Sequence, residues 1–155
     1  LDLVPVDLSR LVQETLEDYQ KLPQAGNFQW KTAVQPDLQV LGDEALLTRI
    51  LSNYLDNALK FTRSRIGVRL ESREGGVRLS VTDDGNGLPP EELEKIWDRL
   101  YQADPSRNKK QNMGLGLGLS FVAAAARLMQ GRAGAESLVG KGSTFFLQLS
   151  AARKS

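Results

Sequence analysis

Two asparagines and a lysine form the first group of side chains whose types and spacing could do chemistry. Asn53, Asn57 and Lys60 stand at positions i, i+4 and i+7 of a predicted helix, which places them side by side along one face. Asn forms helices poorly, so two of them in mid-helix lower the stability of that helix. Amide oxygens are ligands of the kind that Mg²⁺ accepts, and an ammonium group attracts phosphate. The row indicates a site for Mg²⁺ and phosphate, although an ordinary solvated helix face has the same pattern.

A buried acid is the second candidate, in the segment VRLSVTDDGNG at residues 77–87. Alternate residues of a strand point to the same face, so the inward apolar residues of the strand 77–81 are continued by Asp83. A carboxylate there can accept a hydrogen bond from an exocyclic amino group, and Gly85 and Gly87 would let the backbone approach a bound ring. The alternative is a turn in which Asp83 and Asp84 only cap the loop.

Alternating glycines form the third candidate, in the run GLGLGL at residues 114–119 before a helix predicted from about residue 120. Backbone amides exposed by glycines at a helix N-terminus can hold phosphate oxygens. Leu119 stands where a GxGxxG motif needs glycine, and Gly140-Lys141 is followed by Gly142 and lacks the upstream glycine of a P-loop. Neither a dinucleotide-binding fold nor a P-loop is therefore supported. A flexible hinge is the alternative function of the run.

Composition excludes several other functions. The net charge is +1, so no strong field favours nucleic acid or an anionic membrane. Cys is absent, which excludes disulfides and thiolate metal sites and agrees with a reducing cytosol. His is absent too, which removes the commonest general base and any phosphorylatable imidazole. No apolar run approaches the roughly 20 residues of a membrane span. Because residue 1 is Leu rather than Met, we expect an excised or processed piece of a longer protein.

The elements that must position these residues alternate between helix and strand. Hydrophobic periodicity predicts helices at 8–22, with Asp7 as its N-cap, and at 44–61, 91–100 and 120–129. It predicts strands at 28–34, 38–41, 66–70, 77–81 and 143–149. Residues 101–113 contain Pro and several basic residues without apolar periodicity, and they are expected to form a long functional loop. The order indicates one layered domain of helices and strands.

The three candidates occur in an order that resembles one known family. Five segments are similar to the N, G1, F, G2 and G3 boxes of sensor histidine kinases, namely NYLDNALKFT (53–62), DDGNG (83–87), IWDRLY (96–101), GLGLGL (114–119) and GKGSTF (140–145). The segments PVDL (5–8) and GD (42–43) are similar to the usual start of that domain. Trp97 and Leu100 depart from the pattern, because the F box usually has two Phe residues there.

The resemblance implies a fold, ligands and partners. The expected fold is an α+β two-layer sandwich of the GHKL or Bergerat type, with a mixed sheet of about five strands packed against three helices. The whole chain, 1–155, would be the catalytic ATP-binding domain, and the dimerisation and phosphoacceptor domain would lie outside it. The expected ligands are ATP and Mg²⁺, and the expected partners are the His-bearing domain of the same parent protein and a response regulator receiver domain. Contact with nucleic acid or directly with a membrane is not expected; the isolated chain would be a monomer from the cytoplasmic part of a sensor.

The resemblance also assigns roles residue by residue. Asn57 would hold Mg²⁺ with support from Asn53, while Lys60 would contact the phosphates. Phe61 would border the adenine and Asp83 would bind its amino group. The proposed catalytic residues are Asn53, Lys60 and Arg99. The remaining nucleotide contacts, including those of the lid hinge and phosphate cradle, would come from Gly85, Gly87, Tyr101, Gly114, Leu115, Gly116, Leu117, Gly118, Leu119 and Thr144, with Arg107 and the nearby lysines as weaker candidates.

One position separates the possible functions within this resemblance. ATP-hydrolysing relatives have a Glu that activates water four residues before the metal-binding Asn, and this chain has Asn53 there. An amide cannot accept the proton, so an autonomous ATPase is disfavoured. A phosphoacceptor imidazole needs less activation, because it is already nucleophilic. The other alternative, a degenerate nucleotide-binding module that serves as an interaction domain, is weakened by the presence of every box.

Overall fold

The computed structural model describes residues 1–98 and 115–152, apart from the side chains of residues 115–117. The strands are β1 (Val4–Asp7), β2 (Gln29–Val34), β3 (Gln39–Gly42), β4 (Arg65–Arg73), β5 (Gly76–Asp83), β6 (Arg132–Leu138) and β7 (Gly142–Ser150). The helices are α1 (Leu8–Gln20), α2 (Glu44–Phe61), α3 (Pro90–Leu93) and α4 (Leu115–Leu128), and a 3-10 helix spans Pro23–Asn27. No helix in these described ranges is long and apolar enough to span a bilayer.

Two sheets organise the described part of the chain. Five strands form the main sheet in the order β2-β4-β5-β7-β6, with β2 and β4 parallel and the other neighbours antiparallel. A small antiparallel sheet pairs β1 with β3. Helices α1, α2 and α4 share one core with the inner face of the main sheet. The predicted α+β sandwich of five mixed strands and three helices is confirmed.

Helix α2 has the bounds that its periodicity predicts, and both its start and its buried side have clear causes. The Asp43 side chain caps it by accepting a hydrogen bond from Leu46 N at 2.9 Å. Its apolar face enters the core with Leu47, Ile50, Leu51, Tyr54, Leu55 and Ala58. The Tyr54 hydroxyl is fully buried and donates to the carbonyl oxygen of Phe146 on β7 at 2.8 Å. Helix and sheet are thus joined beside the Asn53/Asn57 row.

Helix α1 is capped as predicted, because the Asp7 carboxylate accepts from Arg10 N at 3.0 Å. It ends at Gln20, two residues before the predicted end. The Ser9 hydroxyl links the first turn of α1 to the segment before β3: it donates to Gln35 O at 2.6 Å and accepts from Leu38 N at 2.9 Å. The start of α1 is therefore held against the segment that leads into β3.

The sequence prediction missed two strands and differs from the structure in the extent of two helices. Strands β1 and β6 were not predicted, because β1 buries only Val6 and the β6 sequence RAGAESL is dominated by small and polar side chains. The strand predicted at 38–41 is β3, which pairs with β1 outside the main sheet. Within the helix predicted at 91–100, the structure describes α3 and then turns up to residue 98, and residues 99–100 lie outside the described residues. Helix α4 begins at Leu115, five residues before the predicted start.

Candidate functional site

Asp83 lies at the end of the inner face of β5, as the period of two predicted. Asp83 is only 7% exposed, and its partner on the neighbouring strand β7 is Ser143. Burial raises the pKa of the Asp83 carboxyl, and the charge of Asp84 adds to the rise, while backbone N–H groups of Gly85 and Ser143 oppose it. The Gly85 N–H donates to Asp83 Oδ1 at 2.9 Å. The result is a desolvated hydrogen-bond acceptor that continues an apolar wall.

The next residue, Asp84, fulfils the capping role that was the alternative for the pair. Its carboxylate accepts from the Ser64 hydroxyl at 2.6 Å, the Ser64 N–H at 2.9 Å and the Thr62 hydroxyl at 2.8 Å. These hydrogen bonds, the Ser64 hydroxyl first, hold the pKa of Asp84 well below its usual range. The two explanations of the DDG sequence therefore apply to different residues: Asp84 caps the loop and Asp83 faces the core.

Glycines bring the loop after β5 close to its neighbours. A Cβ on Gly85 would overlap the carbonyl oxygen of Phe61, the last residue of α2. Gly87 has a φ of +72° and lies against the Leu138 carbonyl at the end of β6. A Cβ on Gly142 would overlap the backbone of Asp83. Only a residue without a side chain allows such close approach, so these glycines shape the walls around Asp83.

The asparagine row lies on α2, and its first member, Asn53, contacts α4. Asn57 is 5% exposed, and its Nδ2 has no hydrogen-bond partner in the described part of the chain. Asn53 Nδ2 donates to Gly118 O on α4 at 3.3 Å, and a Cβ on Gly118 would lie 3.4 Å from Asn53 Oδ1. An unsatisfied buried N–H donor costs about 1–3 kcal/mol, so the Nδ2 of Asn57 is available to a ligand that brings a hydrogen-bond acceptor.

Lys60 and Phe61 complete the row at the C-terminal end of α2. Lys60 is exposed and borders a surface cavity of about 370 Å³ together with Gln24, Asp56 and Leu59. Phe61 is partly buried and packs against the core. The structure thus brings Phe61 to the Asp83 loop through Gly85, and it places the Lys60 ammonium in solvent one residue away.

The segment after α3 is anchored to the same core. Ile96 is fully buried, and the Trp97 ring meets the Phe145 ring edge-on with centroids 6.2 Å apart. Phe145 in turn lies 5.6 Å from the ring of Tyr54 on α2. The Trp97 ring therefore packs this segment against β7 and, through Phe145, against α2.

Two residues predicted to contact the nucleotide have side chains that lie away from Asp83. The Thr144 side chain lies on the outer face of the sheet, where its hydroxyl is 2.9 Å from that of Thr82, because successive residues of a strand point to opposite faces. Its neighbour Ser143 faces Asp83 instead, is 8% exposed, and places its hydroxyl 2.8 Å from that of Ser137. The alternation of β7 could have identified Ser143. Leu119 is fully buried in the core.

Several predicted residues are not described by the structure. Arg99, Tyr101, Arg107 and Gly114 lie outside the described residues, as does the predicted loop at 101–113. Leu115, Gly116 and Leu117 belong to the first turn of α4, and their side chains also lie outside the description. Because α4 begins at Leu115, Gly116 and Gly118 lie within the helix and not before it as predicted.

The chemistry of the site limits what kind of metal it could hold. Within 1–98 and 115–152, no group of three or more His, Cys, Asp or Glu side chains could hold an ion. A cation beside the asparagine row would be bound by amide oxygen, by water and by the oxygens of its own ligand. Mg²⁺ is bound in this way at phosphate sites, since it keeps several waters and few protein ligands.

The arrangement matches one protein family. The model of the histidine kinase-, DNA gyrase B- and HSP90-like ATPases matches residues 42–153, which contain the asparagine row, the Asp83 loop and β7. The fold and site define an ATP-binding domain of the α+β sandwich type. The chain belongs to this family, and its relatives place it with the catalytic domains of sensor histidine kinases.

Curated relatives are sensor kinases that are longer than this chain. The sensor-like histidine kinase SenX3 of Mycobacterium tuberculosis is 30% identical over 152 residues, which cover 97% of this chain and 37% of that protein. The phosphate regulon sensor protein PhoR of Pseudomonas aeruginosa is 35% identical over 146 residues, covering 93% of this chain and 33% of that protein. The chain spans about a third of the length of these relatives.

Solved structures have the same fold. The mycobacterial sensor histidine kinase MprB has a TM-score of 0.80 at 27% identity, covering 98% of this chain and 99% of that one. Full-length ShkA in complex with AMPPNP has a TM-score of 0.80 at 30% identity, covering all of this chain and 32% of that one. The ATP-binding domain of PrrB from Mycobacterium tuberculosis, at 24% identity and a TM-score of 0.76, supports the fold alone.

Proposed function

We propose that this domain binds Mg-ATP and donates the γ-phosphoryl group to a His on a separate dimerisation domain, from which it passes to an Asp of a response regulator receiver domain. The observation that carries the proposal is the desolvated Asp83 carboxylate beside a glycine that touches the end of the asparagine-bearing helix. A buried acceptor of this kind selects a ligand with a matching donor, since an unmatched ligand leaves it unsatisfied. The kinship with sensor histidine kinases supplies the reaction class.

Recognition of the base follows from Asp83. Its carboxylate would accept a hydrogen bond from the exocyclic amino group of adenine, where guanine has a carbonyl that would face it with a second acceptor. Phe61 would border the ring, because Gly85 holds the end of α2 against the Asp83 loop. Gly87 would complete this wall from the side of β6. The chain would therefore prefer ATP to GTP.

Binding of the phosphates would involve the asparagine row. Asn57 is buried, and its amide oxygen is the kind of ligand that Mg²⁺ accepts. Its Nδ2, unpaired among the described residues, could donate to a phosphate oxygen. Asn53 would support the Mg²⁺ site from one turn earlier on α2, where its amide already donates to Gly118 O on α4. A bound Mg²⁺ would supply charge neutralisation on the phosphate oxygens. Lys60 would place a positive charge near the same oxygens, and Arg99, Tyr101 and the glycines at 114–116 would contribute contacts from the loop side.

Transfer to another domain is favoured over hydrolysis. The amide of Asn53 cannot take a proton from water, and it is engaged with Gly118 O. The chain contains no His, so a phosphoacceptor imidazole must come from the separate domain. The site would then act by positioning and charge neutralisation, which is how most phosphoryl transfer is catalysed. We expect the isolated chain to be monomeric and to need neither nucleic acid nor direct membrane contact.

A labelling experiment tests this function. The chain is incubated with radiolabelled ATP and Mg²⁺, alone and with a separately prepared His-bearing dimerisation domain of the parent protein. Label should appear only on the added domain, weakly because tethering normally supplies the effective concentration, and it should be acid-labile and alkali-stable. Asn57→Ala should abolish it. Rapid ATP hydrolysis by the chain alone, lost in Asn57→Ala, would instead identify an autonomous ATPase.

A further inference from the structure

The carboxylate of Asp84 has more hydrogen bonds than a simple turn requires. Its Oδ1 accepts from the Thr62 hydroxyl at 2.8 Å and from the N–H groups of Arg63, Ser64 and Arg65 at 3.0, 2.9 and 3.1 Å. Its Oδ2 accepts from the Ser64 hydroxyl at 2.6 Å and from Arg65 Nε at 3.4 Å. One side chain after β5 therefore holds the whole connection between α2 and β4, which we call the 62–65 turn.

The hydrogen-bond donors of the 62–65 turn favour a negatively charged partner. Three successive N–H groups that converge on one oxygen form a concave anion-binding arrangement. The short lengths and the number of donors explain why the pKa of Asp84 lies well below its usual range. A neutral amide could satisfy the three N–H groups through its oxygen, but its NH₂ group could not accept from the Ser64 hydroxyl or from Arg65. A methyl group could satisfy none of the donors.

The 62–65 turn stands between two residues of the proposed base site. Asp84 follows Asp83 directly, and the 62–65 turn follows Phe61 directly. Gly85 packs against the Phe61 carbonyl, and Arg63 Nη2 donates to Asn86 Oδ1 at 2.6 Å. The loop that carries Asp83 is thus held to the end of α2 by hydrogen bonds of side chains that are not part of the hydrophobic core.

We propose that Asp84 is a positioning residue for the base site: by holding the 62–65 turn it fixes the distance between the Asp83 carboxylate and Phe61, and so sets the affinity for the adenine base without touching it. The inference rests on the proposed function, because it takes Asp83 and Phe61 as the base contacts. It assigns Asp84 no part in binding the metal or the phosphates, whose residues lie along α2 and α4.

The test separates base binding from phosphate binding. Calorimetric titration with ADP in the absence of Mg²⁺ should show about tenfold weaker binding for Asp84→Ala, comparable to the loss of one charge-assisted hydrogen bond. The factor by which Mg²⁺ strengthens ATP binding should be the same in Asp84→Ala as in the wild type. A variant that had lost its structure in general would also lose this effect of Mg²⁺. Asp43→Ala is the matched control: it removes the cap at the other end of α2 and so destabilises the same helix, yet it should leave ADP affinity unchanged.

A second variant keeps the inference testable if Asp84→Ala does not fold. Ser64→Ala removes only the hydroxyl bonded to Asp84 Oδ2, and it should weaken ADP by a smaller factor, with circular dichroism unchanged. Wild-type ADP affinity in folded variants of both residues would overturn the positioning role while leaving the proposed function standing. If the wild-type chain itself binds no adenine nucleotide, the proposed function fails, and the inference fails with it.

Discussion

Replacing Asp83 by Asn should weaken ATP binding without weakening the fold. The substitution keeps the size of the side chain and an oxygen that can accept from Gly85 N, but it removes the negative charge. Adenine then loses a charge-assisted hydrogen bond to a residue that is only 7% exposed. Hydrogen bonds to charged groups contribute about 1.5–3 kcal/mol, which corresponds to roughly 10- to 150-fold weaker ATP binding.

The effect on stability should have the opposite sign, or be absent. Because burial raises the pKa of Asp83, its ionised form is less stable in the folded domain than in the unfolded chain. This contribution favours the folded state below the ordinary pKa of Asp, and it is lost as the pH rises through the raised value. At neutral pH the Asn variant avoids that penalty. Its free energy of unfolding without nucleotide should therefore equal or exceed that of the wild type.

Two measurements on the same samples check this prediction. Isothermal titration with ATP and Mg²⁺, and with GTP, gives the affinities, and urea unfolding at neutral pH gives the stability. Asp56→Asn is a matched control, since that carboxylate is an exposed neighbour of Asn57 that bonds the Tyr19 hydroxyl at 2.8 Å. It should leave ATP affinity unchanged. GTP should bind the wild-type chain poorly.

Either of two results would refute the reasoning about Asp83. Equal ATP affinity in Asp83→Asn and the wild type would show that the carboxylate does not contact the base. Weaker binding accompanied by a clear loss of stability would show that the variant acts through the fold. In that second case the buried carboxylate would be a structural acceptor for Gly85 and Ser143 rather than a base-recognition group.

Three further predictions concern the metal, acid stability and the helix–sheet contact. Asn57→Ala should abolish the Mg²⁺-dependent part of ATP affinity with the fold intact, and unchanged Mg²⁺ dependence in titrations would contradict the metal role. The donors around Asp84 lower its pKa, so its contribution to stability should be present above about pH 4 and be lost as the pH falls below that value. In urea unfolding, the free energy of unfolding of Asp84→Asn should therefore fall less on acidification than that of the wild type. Tyr54→Phe removes the hydroxyl that donates to Phe146 O, and should cost about 1–3 kcal/mol in urea unfolding, so an unchanged midpoint would count against that bond.

Local periodicity predicted the parts of the fold whose side chains carry a strong pattern. The bounds of α2 agree with the structure, and both Asp7 and Asp43 cap helices at their predicted starts, because capping and apolar spacing are properties of adjacent residues. The period of two correctly placed Asp83 on the inner face of β5. The same rule applied to β7 places Ser143, and not Thr144, on the inner face opposite Asp83, whereas the prediction of Thr144 came from the motif resemblance.

Weakly patterned segments could not be predicted in this way. Strands β1 and β6 exist because neighbouring strands supply their hydrogen bonds, β3 for the first and β7 for the second. Their own side chains bury too little apolar surface to produce an alternation. The pairing of 38–41 with β1 also depends on long-range contacts, since a short apolar run has no feature that selects its partner.

The sequence by itself determined the residue types of the site and their order: amides on one helix, an acid that continues a strand face, and glycines beside it. The tertiary structure alone decided the environment, and so the pKa, of each acidic residue at the site. Asp83 and Asp84 are adjacent and chemically identical, yet one is buried with a raised pKa and the other is surrounded by donors with a lowered one. Asp83 ends the inner face of β5, whereas Asp84 lies just after the strand and meets the 62–65 turn. The difference arises because the pKa of a carboxylate depends on the groups around it in the folded chain.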